Sequence, residues 1–533
     1  MSTGLGGRPQ AFPFKGSTYA AVERHADAVA LVAITAVAAA FRFSSLGAQS
    51  YWLDEAVSAD LIKLSLHQLL LSIRSIESTP PLYLVLASMW AKVFGTGEEG
   101  LRALSAVLGT ATVPVSYLAA RTLAGRRTAV LAALFVALAP IMVWYSQEAR
   151  SYALYALLSA VSFLFFARLL ARYRAVDLAA WSISSTAALT AHYFAGFLVL
   201  VEAIWLIRSV RHRRALLVAF VPVVAVQLAL LPLVHWQQNN HGNWVGLMPA
   251  DFRLKQFGTW FLTGHLRAAA PIAVAAVMVA LGLFLLVRRA EGRQRMGGLT
   301  ALGVGVATVA LVAFESVAVR DYFLFRNVLN VWVPLAVALA AGFTAPRAGR
   351  LGVAAACVLC AVFAFANVAT VERKSLQRDD WRTVSSMLVD ARKPAAFVVY
   401  PLWGARPLIR YGKSEVECLG CIPSRRTTVG GVAAGPYDSR VPLRLRDIWF
   451  VGWHGPFESD YTGWPPPDAV RFRPPRGFER VIRRRFQNFV IEHFVSSRTQ
   501  SVRAPLLLKG LRIPPGTHVA DPSQTRARVL LRD

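Results

Sequence analysis

Apolar residues in this chain fall into long blocks separated by short polar turns, at about 28–43, 101–120, 128–145, 152–167, 176–191, 193–207, 215–234, 271–287, 299–317, 328–344 and 351–370. Each block is near the length that carries a helix across about 30 Å of hydrocarbon, so the pattern predicts about eleven spans. The apolar segment Pro81–Phe94 is shorter, reaching only about 21 Å at 1.5 Å per residue. Led by the pair Pro80-Pro81, it is predicted to be a helix lying along or dipping into the outer leaflet. Ahead of it, Ile62, Leu66, Leu69 and Ile73 recur at helical spacing with Lys63, Ser65, His67 and Ser72 between them, the pattern of an interfacial amphipathic helix. After Val371 the runs shorten and Pro, Gly, Asp and Arg become frequent. Phe397–Pro401, Ile448–Val451 and Phe486–Phe494 read as strands, Pro505–Leu508 and Val529–Leu531 as short strand-like runs, and Pro407–Tyr411 as part of a helix.

The expected architecture is therefore a polytopic α-helical membrane protein of about eleven spans with outer juxtamembrane helices, followed by a small C-terminal extracytoplasmic α/β domain. Residues 1–27 form a cytoplasmic segment, 28–370 the transmembrane domain and 371–533 the soluble domain. The polar lead of about 27 residues is long for a signal peptide, so the first span is expected to stay uncleaved.

Charge sets the orientation. The chain carries a formal +28, and its cations cluster in alternate connections: Arg121, Arg126 and Arg127; Arg168, Arg172 and Arg174; Arg208, Arg211, Arg213 and Arg214; Arg288, Arg289, Arg293 and Arg295; Arg347 and Arg350. With Arg8, Lys15 and Arg24 ahead of the first span, this register puts the N-terminus in the cytoplasm of a multi-pass plasma-membrane protein. Residues 44–100, 146–151, 191–193, 235–270, 316–327 and everything after about 371 then lie outside. Basic loops facing anionic headgroups account for the charge, and nucleic acid is not an expected partner. Cys357 and Cys360 sit in an apolar run as small core residues, whereas Cys418 and Cys421 form a CLGC that pairs as a disulfide if that segment is exported. No second Cys/His pair lies near them to complete a zinc site.

Two outer stretches carry the candidate chemistry. In YWLDEAVSAD, Asp54 and Glu55 follow the first span. One reading makes Asp54 the cap of the next helix and Glu55 a first-turn acid favoured by the helix dipole; the other makes the pair catalytic, with an outer-face carboxylate as general base. In WYSQEARSY, Glu148, Arg150 and Tyr152 offer an acid, a guanidinium and a hydroxyl within five residues, against a plainer reading in which Ser146 caps the next span and Arg150 reaches headgroups. His192, Tyr193, Arg320 and Arg326, with Asp321, Tyr322 and Asn327, meet the same layer as a cationic, hydroxyl-bearing ring suited to a lipid-linked phosphate. Trp236, Trp244 and Trp260 in the 235–270 loop suit headgroup anchoring or sugar contact. Glu202 is ionisable at membrane depth, with Arg208 as a candidate partner.

TPPLYLVLASMW, LRALSAVLG, the basic LAGRR turn and WYSQEARSYAL, behind an outer acid pair, resemble the GT-C superfamily of glycosyltransferases that use polyprenyl-phosphate sugars, near the protein O-mannosyltransferases and the aminoarabinose transferase of lipid A. The likeness covers about residues 28–210 and runs more loosely through AHYFAGFL, FRNVLNVWVPL and DDWRTVSSML. It implies a GT-C-like transmembrane domain, a catalytic Asp at Asp54 with Glu55 beside it, and a second acid at Glu148. Where many relatives carry His before the two prolines, this chain has Thr79.

The expected function is transfer of a hexose or pentose from a polyprenyl phosphate to a lipid, glycan or protein hydroxyl at the outer face, with inversion and Asp54 as base. Glu148 would orient the base or acceptor, while Arg150, Tyr152, His192, Tyr193, Arg320 and Arg326 meet the donor. No metal ligands are assigned and no cofactor is required, although some members of the superfamily hold a divalent metal between the two acidic loops. The rival is a lipid or small-molecule transporter, which would put its charges near the midplane of interrupted spans and often show related halves.

Overall fold

The structure is a computed structural model that describes residues 15–240, 245–388, 394–401, 404–412, 417–419, 442–454, 469–512 and 528–532. Helix α1 (Lys15–Phe43) leads to three short helices, α2 (Leu53–Leu61), α3 (Leu66–Ile76) and α4 (Leu82–Phe94). The bundle continues with α5 (Glu98–Ala124), α6 (Arg126–Leu138), α7 (Pro140–Ser146), α8 (Tyr152–Ala171), α9 (Ala175–Ala191), α10 (Ala195–Ser209) and α11 (Arg213–Asn240). It closes with α12 (Ala250–Thr263), α13 (Ala269–Arg289), α14 (Gly292–Ala318), α15 (Trp332–Phe343) and α16 (Gly349–Glu372).

Among the described residues, eight helices are long and apolar enough to cross a bilayer, nine if α6 and α7, bent by 56°, form one span. The two remaining predicted spans are α9 and α10, of 17 and 15 residues, which as straight cylinders reach only about 25 and 22 Å. Small residues bring the helices together: a Cβ on Gly342 of α15 would come within 1.9 Å of the Gly282 carbonyl of α13. The basic turns are tied by polar contacts: Arg126 and Arg121 lie on Asp27, Arg293 donates to the Thr122 carbonyl, and Arg168 pairs with Asp177 across its own turn.

Pro81–Phe94 is helical from Leu82, as predicted. The amphipathic segment is broken where one helix was expected. α2 ends at Leu61, and Ser65 starts α3 by accepting from the Gln68 N–H while the Gln68 side chain reaches back. Leu69 and Ile73 are consequently buried, but Leu66 is exposed. Glu202 takes Ser162 and Trp181 as donors; Arg208 donates instead to the Ile204 carbonyl on its own helix. Cys357 faces outward on α16, not into the core.

The chain then forms α17 (Trp381–Leu388), β1 (Ala395–Tyr400), α18 (Ala405–Tyr411), β2 (Glu417–Leu419), β3 (Pro442–Trp453), β4 (Arg471–Phe472), β5 (Glu479–Phe486), β6 (Phe489–Arg503), α19 (Ala504–Lys509), β7 (Leu511–Arg512) and β8 (Arg528–Arg532). Six strands pair in the order β2-β8-β1-β3-β6-β5, with β1 and β3 parallel and the other pairs antiparallel. β1 is buried throughout because both faces are covered: Phe397 and Val399 share a cluster with Trp381 and Leu408, Ala396 and Val398 one with Phe472 and Leu507. Two strand predictions change. Phe486–Phe494 holds a hairpin whose turn at Gln487 adopts a positive φ of 48°, and Pro505 lies in the first turn of α19, a position its fixed φ favours over a strand. Cys421 and the side chain of Cys418 lie outside the described residues, so the predicted CLGC disulfide does too.

Candidate active site

The site begins with the start of α2. Trp52 occupies the cap position, so Asp54 and Glu55 are the second and third residues of the first turn, and Asp54 is not the cap. The Glu55 side chain reaches back to the Trp52 N–H at 3.4 Å. Glu55 is wholly buried, and Arg102 of α5 grips it with Nε to Oε1 at 2.8 Å and Nη2 to Oε2 at 2.5 Å. The Ala149 N–H adds a bond to Oε1 at 2.8 Å. Arg102 donates its remaining bonds to the Leu46, Gln49 and Ser50 carbonyls. Burial alone would raise the Glu55 proton affinity, but Arg102 and Arg378 outweigh it and hold the carboxyl below its ordinary value. Asp54 is half-buried on the same turn, and its carboxylate acts on Glu148, Arg150, Tyr152 and Arg326.

The second acid is placed by a broken helix. Pro140 has no N–H to give the Val136 carbonyl, and the bend denies the next carbonyls their usual donors. Arg42 of α1 replaces them, donating Nη2 to Val136 at 2.9 Å and Nη1 to Ala137 at 2.9 Å, while Asn367 serves Leu138 at 2.7 Å. In return Gln147 donates to the Phe41 carbonyl at 2.8 Å and to Ser45 Oγ at 3.0 Å. α5 passes so close that a Cβ on Gly109 would sit 1.9 Å from Ser146 Oγ. The loop 147–151 therefore leaves α7 in a fixed direction, with Glu148 2% exposed.

Glu148 meets a residue that the sequence reading did not single out. Arg378, just past α16, donates Nη2 to Glu148 Oε2 at 3.2 Å, approaches Glu55 Oε2 at 3.8 Å and stacks 4.2 Å over Trp144. Glu148 Oε1 and Arg378 Nη1 are buried without a hydrogen-bond partner, as are Arg150 Nε, Ser151 Oγ and Trp52 Nε1. Burial, against the pull of Arg378, raises the Glu148 carboxyl to about 7.

The other predicted residues divide. Arg150 donates to Ser58 Oγ at 3.1 Å and forms an ion pair with buried Glu77, also unmarked by the sequence reading; Thr79 donates to Glu77 as well. Tyr152 is buried, with Arg326 6.0 Å over its ring. His192 stacks on Tyr155 at 4.5 Å, and burial, with Arg326 and Arg150 adding to it, lowers its pKa to about 3, keeping the ring neutral. Tyr193 donates to Gln237 at 2.8 Å, and Arg320 to the Gln238 carbonyl at 3.3 Å. Trp260 is buried against Phe325, Trp144 and His265 rather than placed at an interface; Trp236 lies under Arg74. Among the described residues, no three of His, Cys, Asp or Glu gather as a metal site.

The fold is that of a polytopic membrane protein whose charged cluster lies where the short helices, the 147–151 loop and the soluble domain meet. Residues 78–236 match the family described as dolichyl-phosphate-mannose-protein mannosyltransferase. No curated protein matches the chain. Among solved structures it is similar to ArnT from Cupriavidus metallidurans bound to undecaprenyl phosphate, at 16% identity and a TM-score of 0.45, over 68% of this chain and 66% of that one. It is also similar to the oligosaccharyltransferase AglB from Archaeoglobus fulgidus in complex with an inhibitory peptide and a dolichol-phosphate, at 13% identity and 0.41, over 70% and 58%. A third, the arabinofuranosyltransferase AftD from Mycobacteria, gives 15% and 0.43, over 88% and 40%. The chain thus spans two thirds or less of each of these proteins.

Proposed function

We propose that this protein is a glycosyltransferase that moves a hexose or pentose from a polyprenyl phosphate to a hydroxyl of a lipid, glycan or protein at the outer face of the membrane. The observation that carries the reading is the meeting of Asp54 with Glu148, Arg150 and Arg326, which come from three separate stretches of chain and act on one another electrostatically. A transporter would place such charges near the midplane of interrupted spans.

In the proposed step the acceptor oxygen attacks the anomeric carbon and gives its proton to Asp54, while the bond from sugar to phosphate breaks and its electron pair stays on the phosphate. Asp54 suits the role because, among the described residues, no ion pair holds it as Arg102 holds Glu55. Glu55 becomes a positioning group, since both its oxygens are committed. Arg326 and Arg150 hold the departing phosphate, with Arg150 sharing its charge with Glu77, and Tyr152 and neutral His192 line the same wall. Glu148 orients the acceptor, Tyr193 and Arg320 stand behind, and a single displacement inverts the sugar carbon. The outer location is inferred from the alternation of basic connections along the chain, which the positive-inside tendency assigns to the cytoplasm together with the N-terminus.

Membranes carrying the protein, incubated with a panel of radiolabelled polyprenyl-phosphate sugars, test the reading. One donor should label an acceptor, and Asp54→Asn should cut that transfer by about 10²–10⁴-fold with donor binding retained. Full turnover by the variant removes Asp54 as base; no labelling from any donor removes the transferase reading.

A further inference from the structure

Arg378 belongs to neither of the two acidic loops, yet it is the only residue among those described that forms ion pairs with both Glu55 and Glu148. It is held there from two sides. Its backbone N–H donates to Gln49 Oε1 at 2.8 Å, and the Asp379 carbonyl accepts from Ser50 Oγ at 2.7 Å, both from the turn ahead of α2. From the other side the soluble domain grips Asp379: Trp453 at the end of β3 donates to Oδ2 at 3.0 Å, and Asn488 in the β5–β6 turn to Oδ1 at 2.7 Å. The Asp380 N–H donates to Gln487 of that turn at 2.8 Å. A second clamp lies on α18, where Arg410 meets Asp60 at 3.2 Å and Tyr411 donates to Glu98 at 2.6 Å.

We infer that the soluble domain completes the active site: by docking on the first outer loop it delivers Arg378 between Glu55 and Glu148, and Arg378 is the positioning residue that keeps Glu148 an oriented carboxylate. This rests on the transferase reading for its catalytic half but not for its structural half. Without Arg378, Glu55 keeps Arg102, whereas Glu148 is left with the weaker pull of Arg326 and must take a proton or move. The groups in electrostatic contact with Glu148 are Arg378, Arg326, Glu55, Asp54, Tyr145, Tyr152 and Tyr83, from six stretches of chain. Among the described residues it is Arg378 that donates to its carboxylate. Asp379, Trp453 and Asn488 then matter at a distance, because they set where Arg378 stands.

The test uses the purified full-length chain in two arms. In the first, thermal unfolding midpoints are measured for wild type, Arg378→Met, Glu148→Gln and the double variant. Arg378→Met should lower the midpoint by at least twice as much in the wild-type background as in the Glu148→Gln background. In the second, transfer from the donor found by the panel is followed against pH. Arg378→Met should move the acid limb upward by about one unit, a loss of about fivefold at pH 7 from the fraction of ionised Glu148 alone. KM for the donor should change much less than kcat, Arg378→Lys should restore part of the loss, and Asp379→Ala should reproduce the shift without touching Glu148. Additive midpoints overturn the inference whether or not any donor turns over. A pH profile that stays in place in a cooperatively folded Arg378→Met protein overturns its catalytic half.

Discussion

Two neighbouring carboxylates with the same chemistry are given opposite situations by their partners. Glu55 is enclosed by Arg102, the Ala149 N–H and its own helix cap, whereas Asp54 stands half-buried one residue earlier. Removing one member of a buried pair leaves the other charge uncompensated, at a cost of about 3–5 kcal/mol. Glu55→Gln should therefore lower the unfolding midpoint clearly, while Asp54→Asn leaves it near wild type. A calorimetric comparison of the two purified variants decides it, and equal midpoints would remove the division of roles. The pair itself and the QEARSY loop were legible because each is compact in sequence. Which acid was committed was not legible, because Arg102 lies 47 residues from Glu55 and Arg378 lies 230 from Glu148. No periodicity links such positions. The one trace of Arg378 was the neighbouring DDWRTVSSML likeness, and the ESTPP stretch drew attention to Thr79 when its buried acid, Glu77, was the partner of Arg150.

At the scale of elements, apolar blocks gave the helices well, since burial in lipid demands long runs and leaves a plain signal. They gave the breaks poorly. Residues 128–145 read as one span, although Pro140 marks the point where α6 must end, and the bend is stabilised by Arg42 and Asn367 from distant helices. A guanidinium fully buried in an apolar helix is costly unless its donors are used, and Arg42 spends them on two helix-end carbonyls, its own Ala38 carbonyl and Ser146 Oγ. Arg42→Met keeps the bulk and orphans Val136 and Ala137, so it should cost about 2–4 kcal/mol by the usual penalty for unsatisfied buried groups. Arg42→Lys, which reaches fewer acceptors, should fall between. Denaturant titration of the three proteins reads this directly; an unshifted Arg42→Met midpoint would mean that the bend holds without the pin.

Across the whole molecule, acidic and imidazole groups buried at the junction of bundle and soluble domain pull stability in opposite directions with pH. Glu148, raised to about 7, and Asp379, raised to about 6 by burial against the bonds from Asn488 and Trp453, hold protons more tightly folded than unfolded. Their contribution is complete below their ordinary values and is lost as pH climbs through 6 to 7. His192, lowered to about 3, and His265, also lowered by burial, do the reverse: the unfolded chain takes up their protons below about 6.5 and the fold loses stability there. Two groups of each kind, titrating over the same interval, should leave the wild-type midpoint nearly level between pH 8 and 6. The balance is exposed by removing one side. Glu148→Gln leaves the histidines less opposed, so its midpoint should fall on acidification relative to wild type; His192→Phe leaves the acids less opposed, so its midpoint should rise. Scanning calorimetry at pH 8, 7 and 6 separates the outcomes, and slopes of the same sign in both variants would show that the junction is not dry enough for either shift. Transfer should follow the acid arm alone, weakening as Glu148 takes its proton even where the Glu148-containing fold is at its firmest.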